Sequence, residues 1–228
     1  GFLNRTDNNE LDSIYFEGKP LINFSSNDYL GLSKNKTLIA SSKKWTELYG
    51  TSFSSSRMVS GNFEEIEKIE NLLSKFTLSE KTLILNSGYL TNATIIPAIS
   101  QNNLGQRNKV FFFSDKFNHS SINFGCHLTR QKVFRYNHLD LNHLENLLKK
   151  SSKLIPKIII TETVFSMDGD IVDIKSLRFL AKKYDALLYL DEAHSLGIFG
   201  KKGFGIASSD KYEKELVVGT FGKSFGSF

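Results

Sequence analysis

The chain has 228 residues, with hydrophobic side chains at 40%, charged ones at 23% and a formal net charge of +5. That composition describes a globular chain with a sizeable core in one generous domain or two small ones, and no run approaches the roughly 18 apolar residues of a membrane span. One cysteine, Cys126, excludes an internal disulfide and any multi-cysteine metal site and fits a reducing cytoplasm.

The lysines are scattered; Lys149, Lys150 and Lys153, then Lys182–Lys183 and Lys201–Lys202, read as solvated faces rather than a nucleic-acid surface. The first residues, Gly1 to Glu10, hold no apolar signal core, and a chain starting at glycine reads as processed or trimmed.

In chain order, residues 1–33 read as an arm. Ile14, Phe16, Leu21 and Phe24 anchor it around a turn at Glu17–Pro20, and Asn23–Ser33 is a polar loop closed by Tyr29-Leu30-Gly31-Leu32. A helix is expected over Leu38–Leu48, stopped by Gly50. Thr51–Gly61 is a serine-rich loop. Ile66, Ile69, Leu72, Leu73 and Phe76 keep helical spacing and predict an amphipathic helix over 63–77.

From there a β–α beat sets in. Strands are expected at Thr82–Leu85, Val110–Phe113, Lys132–Tyr136, Ile158–Thr161, Ala186–Leu190 and Leu216–Val218. Helices are expected at Thr91–Ile99, after His119, at 140–149 and at Ile174–Lys183. Short strands alternating with helices predict an α/β fold with a mainly parallel sheet and flanking helices. Ligands of such sheets sit beyond the strands' carboxyl ends. Ser87-Gly88-Tyr89, Asp115/His119, Glu162/Ser166, Asp191/His194 and Thr220/Lys223 all fall there.

Lys223 stands between glycines just past an apolar strand. Glycine lets backbone approach a ligand, and an amine in a partly desolvated site is more readily a nucleophile. Gly222-Lys223-Ser224 resembles the tail of a nucleotide-binding P-loop, but that pattern needs a glycine where Val217 stands. Ser87 to Tyr89 open a helix after a strand, where N–H groups bind phosphate. His127, His138 and His143 read as structural, and the last two are five apart, unsuited to a helical metal pair.

Together, Asn23–Ser33, Asn86–Asn92, Asp115–Ile122, Thr161–Asp170, Asp191–Gly205 and Thr220–Gly226 resemble, in order and spacing, the pyridoxal-phosphate α-oxoamine synthases of fold type I. Phe24–Leu32 and Thr220–Lys223 look most like the 8-amino-7-oxononanoate synthase branch. The resemblance implies that Lys223 carries pyridoxal 5'-phosphate covalently and that Asp191 pairs with the ring nitrogen. It implies that His119 stacks on the ring and His194 approaches its phenolic oxygen or the substrate, with help from Ser166. Ser87, Gly88, Tyr89 and Thr220 would hold the phosphate. Lys223, His119, Asp191 and His194 are thus the expected catalytic set, and no metal is expected.

The implied reaction is decarboxylative condensation of an amino acid, L-alanine, with a pimeloyl thioester, in a cytoplasmic homodimer of biotin synthesis. A 2-amino-3-ketobutyrate CoA ligase acting on glycine and acetyl-CoA, or a non-catalytic partner subunit, are the alternatives. Two departures touch the family pattern. Gly50–Arg57 carries serines and Phe53 where the family has glycines, and Ile66 stands where it commonly has histidine. The resemblance also implies a longer subunit. Residues 34–228 would be an incomplete large domain, and a C-terminal part with a small domain and a carboxylate-binding arginine does not follow Phe228.

Overall fold

The computed structural model describes residues 13–16, 19–101, 109–210 and 212–227. Two compact units divide the chain: Gly1–Asn62 with Phe221–Phe228, and Phe63–Thr220. The stretch expected as an arm lies in the first unit, together with the serine-rich loop.

In the first unit, β1 (Ser13–Phe16) pairs antiparallel with β2 (Lys19–Ile22). Glu17 and Gly18 of the expected turn lie outside the described residues, whereas Lys19 and Pro20 open β2. The Asp28 carboxylate accepts the Leu32 and Ser33 N–H groups, which closes the turn through Gly31 at φ 63°. Helix α1 (Lys36–Tyr49) then starts at Asn35, whose side-chain oxygen accepts from the Thr37 and Leu38 N–H groups. Such a cap satisfies donors that a helix start otherwise strands. The C-terminal segment packs on the same turn: a Cβ on Gly226 would collide with the Ser33 backbone.

The second unit is a five-stranded parallel sheet of order β4-β3-β5-β6-β7: β3 (Phe111–Asp115), β4 (Lys132–Tyr136), β5 (Lys157–Glu162), β6 (Ala186–Asp191) and β7 (Glu215–Val218). Its helices are α2 (Glu64–Thr77), α3 (Gly88–Ala98), α4 (Ser120–Thr129), α5 (Leu141–Lys150) and α6 (Ile174–Lys183).

Strand residues alternate between two cores. Phe111, Phe113, Ile159, Leu188 and Leu190 face Leu144 and Leu148 of α5 and Leu177 and Leu180 of α6. Phe112, Ile158, Ile160, Tyr189 and Val218 face Ile96 of α3 and Ile122 and Cys126 of α4. A sheet covered on both faces needs strands apolar on both, which is why Phe111–Phe113 and Ile158–Ile160 run without alternation. Each fully buried Ile, Leu or Phe contributes on the order of 2 kcal/mol.

The expected parallel α/β architecture is therefore present, with one strand fewer than the sequence suggests. Thr82–Leu85 forms no strand among the described residues. The Ile84 N–H donates to the Glu70 carboxylate and the Ser74 hydroxyl to the Thr82 hydroxyl, which ties the segment to α2. Helix α3 also begins earlier than expected, at Gly88 rather than Thr91. No helix among the described residues is long and apolar enough to cross a membrane.

Candidate active site

The strand order reverses between β3 and β5, the switch point at which a parallel sheet opens a crevice. Polar residues collect there. Glu162 ends β5 and Asp191 ends β6, opposite each other in register, with Val218 of β7 beyond Asp191. Asn118 bridges the ends of β3 and β5, donating to the Ser114 hydroxyl and the Ile160 carbonyl and accepting the Glu162 N–H.

Asp191 is buried, with both carboxylate oxygens engaged. Oδ2 accepts from the Asn92 side-chain amide at 2.8 Å, and Oδ1 from the Ala193 N–H at 2.9 Å. It closes a turn, not the start of a helix. Two neutral donors leave the charge uncompensated, so the site favours a cationic N–H partner. Tyr189, two residues earlier, donates to the Asn92 carboxamide oxygen at 2.6 Å. Burial and the Asp191 charge push its hydroxyl well above the usual tyrosine range, so it stays a donor.

His119 caps α4. Its Nδ1 accepts the Ser121 N–H at 3.2 Å and lies 2.7 Å from the Ser121 hydroxyl, while its own N–H donates to Glu162 Oε1 at 2.6 Å. The ring itself is exposed, leaving a flat face open. Glu162, placed by the sequence only at a strand end, thus fixes the backbone from which that ring projects.

Ser87 caps α3, its hydroxyl accepting the Leu90 N–H, and the Gly88 and Tyr89 N–H groups find no acceptor among the described residues. This helix start adjoins the end of β7: a Cβ on Gly88 would stand 3.7 Å from Thr220 Cβ. A phosphate fits such a helix start, with the Thr220 hydroxyl beside it. His194 is buried in the turn after Asp191, and Ser166 is exposed at the tip of the loop after β5. Lys223 belongs to the first unit. It is half-buried in a tight turn closed by Gly226 N–H to Lys223 carbonyl and Ser227 N–H to Phe221 carbonyl bonds.

Of the three histidines read as structural, His138 and His143 are held by side-chain bonds, and His127 is exposed. His138 bridges Asp115 at 3.0 Å and Asp170 at 3.2 Å, between the rings of Phe117 and Phe165, and so holds the loop that carries Ser166. His143 Nδ1 accepts the Asn137 N–H, and burial pushes the Cys126 thiol up to about 12, which leaves it inert. No metal-ligating group of three or more side chains occurs among the described residues.

A family description reading "Aminotransferase class I and II" matches residues 19–228. The chain belongs to that family. Within it, the α-oxoamine synthase resemblance read from the sequence is borne out. The chain is 43% identical over 212 residues to a putative 8-amino-7-oxononanoate synthase of Paramagnetospirillum magneticum, covering 92% of this chain and 53% of the relative. It is 41% identical over 214 residues to the 8-amino-7-oxononanoate synthase of Gluconacetobacter diazotrophicus, covering 93% and 54%.

Among solved structures it resembles serine palmitoyltransferase from S. paucimobilis with a bound PLP–myriocin aldimine, at TM-score 0.84 and 30% identity, covering 95% of this chain and 55% of that one. It also resembles 8-amino-7-oxononanoate synthase from Francisella tularensis, at TM-score 0.72 and 28% identity, covering 90% and 55%. The chain spans about half the length of the curated relatives it matches.

Sequence reasoning missed Asn92, Ser121 and Asn118 in this family site. One signal was present for the first: Asn92 stands four residues before Ile96, so it interrupts the buried stripe of α3 with an amide.

Proposed function

We propose that the chain is part of a pyridoxal-phosphate-dependent acyltransferase that condenses L-alanine with a pimeloyl thioester to give 8-amino-7-oxononanoate, releasing the thiol and carbon dioxide. The observation that carries this reading is the buried Asp191 carboxylate at the end of β6, held by Asn92 and the Ala193 N–H, on the sheet whose β7 is followed by Thr220 beside the start of α3.

Those residues fit the cofactor. The Gly88 and Tyr89 N–H groups, with the Ser87 and Thr220 hydroxyls, take the phosphate. Asp191 favours the protonated ring nitrogen, His119 offers its exposed face to the ring, and His194 serves the phenolic oxygen or the substrate, with Ser166 in support. When bound, the cofactor supplies an electron sink for the carbanion at the amino acid's α-carbon. Lys223 supplies the amine that holds it and moves the α-proton.

The chain is read as most of the large domain of a cytoplasmic homodimer. The resemblance to serine palmitoyltransferase makes serine with a longer acyl thioester the second reading. The test uses the full-length protein incubated with pyridoxal phosphate. A visible band appears in the wild type and is absent in Lys223→Ala, and alanine with pimeloyl-CoA releases CoA. Release with serine and palmitoyl-CoA alone establishes the second reading. A wild type without the band refutes both.

A further inference from the structure

We infer that Asn92 is a positioning residue of this site: its carboxamide ties the Asp191 carboxylate to Ser121 and, through Ser121, holds His119 as the Nε2–H tautomer. The inference rests on the reading of Asp191 and His119 as cofactor-facing groups, but its geometry lies entirely within the second unit.

Counting hydrogens fixes the directions up to the Ser121 hydroxyl, and the Ser121 backbone N–H fixes the last one. An ionised carboxylate only accepts, so the group 2.8 Å from Asp191 Oδ2 is the Asn92 NH₂, and the carboxamide oxygen faces Tyr189, which donates at 2.6 Å. The second hydrogen of that NH₂ goes to the Ser121 hydroxyl oxygen at 3.0 Å. Ser121 then has its single hydroxyl hydrogen left, and His119 Nδ1 lies 2.7 Å away. The Ser121 backbone N–H also points at Nδ1. A protonated Nδ1 would face that N–H donor to donor, so Nδ1 accepts and the neutral ring carries its proton on Nε2.

Asn92 is 2% exposed and Ser121 1%, so neither has water as an alternative partner. In such surroundings a fully satisfied network rigidifies its members, and one missing donor leaves the others unpaired. The two groups that would meet a cofactor ring, at its nitrogen and on its face, are therefore held by one amide. Asn92 itself need touch neither cofactor nor substrate.

The experiment takes full-length protein labelled with ¹⁵N-histidine, stripped of cofactor and reloaded. Long-range ¹H–¹⁵N correlation separates Nε2–H from Nδ1–H rings, and loss of one signal in His119→Gln assigns the residue. His119 is expected as Nε2–H in the wild type with and without cofactor, and with a smaller Nε2–H share in Asn92→Ala and in Ser121→Ala, where the hydroxyl is freed or lost and the Ser121 N–H alone still opposes a proton on Nδ1. Ser121→Thr, which keeps the hydroxyl, restores the wild-type form.

In the reloaded protein the pH at which the cofactor band changes moves in both alanine variants, and moves no further in the double variant, because the two residues act in one chain. Unchanged melting of Ser121→Ala separates this effect from misfolding. An Nδ1–H ring in the wild type, a tautomer indifferent to both substitutions, or additive effects on the band would overturn the inference. A protein that shows the tautomer changes but takes up no cofactor upholds the network and refutes the function proposed above.

Discussion

Gly125 of α4 sets how closely α4 can approach α3, and Gly125→Ala isolates that contact. A Cβ there would fall well inside 3.0 Å of the Asn92 carbonyl oxygen, with Ile96 Cδ1 at 3.0 Å. The first obstacle is backbone and cannot rotate away. Intrinsic propensity alone predicts the opposite sign, since alanine in a helix interior is better than glycine by about 1 kcal/mol. Overpacking a filled core costs about 1–3 kcal/mol. Here the clash is with a main-chain oxygen, so the upper part of that range applies and the net loss is about 1–2 kcal/mol. For a chain of this size that lowers the melting temperature by about 2–8 °C.

The same substitution should reach the site. Relieving the overlap needs α3 to retreat by more than roughly half an ångström, which stretches the 3.0 Å Asn92–Ser121 bond to the edge of what counts as a hydrogen bond or past it. Gly125→Ala is thus expected to melt lower and to give a reduced Nε2–H share of His119, as Ser121→Ala does, without altering any hydrogen-bonding side chain. Calorimetry and the labelled-histidine spectra read the two effects. A melting temperature at or above that of the wild type, as propensity alone predicts, would refute the packing argument.

Arg178→Met should destabilise the fold by about 3–5 kcal/mol in urea unfolding, because it leaves Glu215 buried without the guanidinium that donates to both of its oxygens at 2.7 and 2.8 Å; joint replacement of both by apolar residues should recover most of the loss. Burial raises the Glu192 carboxyl above the ordinary glutamate value, so the folded chain holds that proton more firmly than the unfolded one. Its contribution is therefore whole below the ordinary value of about 4.3 and is lost as pH rises through the raised folded value. The melting-temperature gap between Glu192→Gln and wild type should accordingly move in the variant's favour from about pH 4 to neutrality, and a gap that does not change with pH counts against it. Gly205→Ala should cost about 2 kcal/mol or more, since Gly205 sits at φ 87° and a Cβ would collide with the Glu192 carboxylate; circular dichroism melts would show it.

How much of this was legible follows from what each residue has to do. Strands covered on both faces leave an unbroken apolar run, and Phe111–Phe113, Ile158–Ile160 and Leu187–Leu190 announce themselves. Thr82–Leu85 carries the same signature, yet the Ile84 N–H goes to Glu70 and the Thr82 hydroxyl accepts from Ser74. Both partners lie on α2, out of view of any pattern confined to the segment itself.

Asp191 and His119 could be singled out because each stands at or just past a strand end, and the family resemblance suggested a role for each. Asn92 and Ser121 lacked that advantage. An amide or a hydroxyl on a helix reads as a solvated position, and only the i,i+4 relation of Asn92 to buried Ile96 betrays its inward side. Even that relation says nothing of a partner 99 residues away. The contact exists because Gly125 lets two helices close to backbone distance, bringing Ser121 within reach of an amide that already faces Asp191. Chemistry-bearing residues are thus readable singly. The bonds that orient them depend on a helix separation set by one missing methyl, and only coordinates show it.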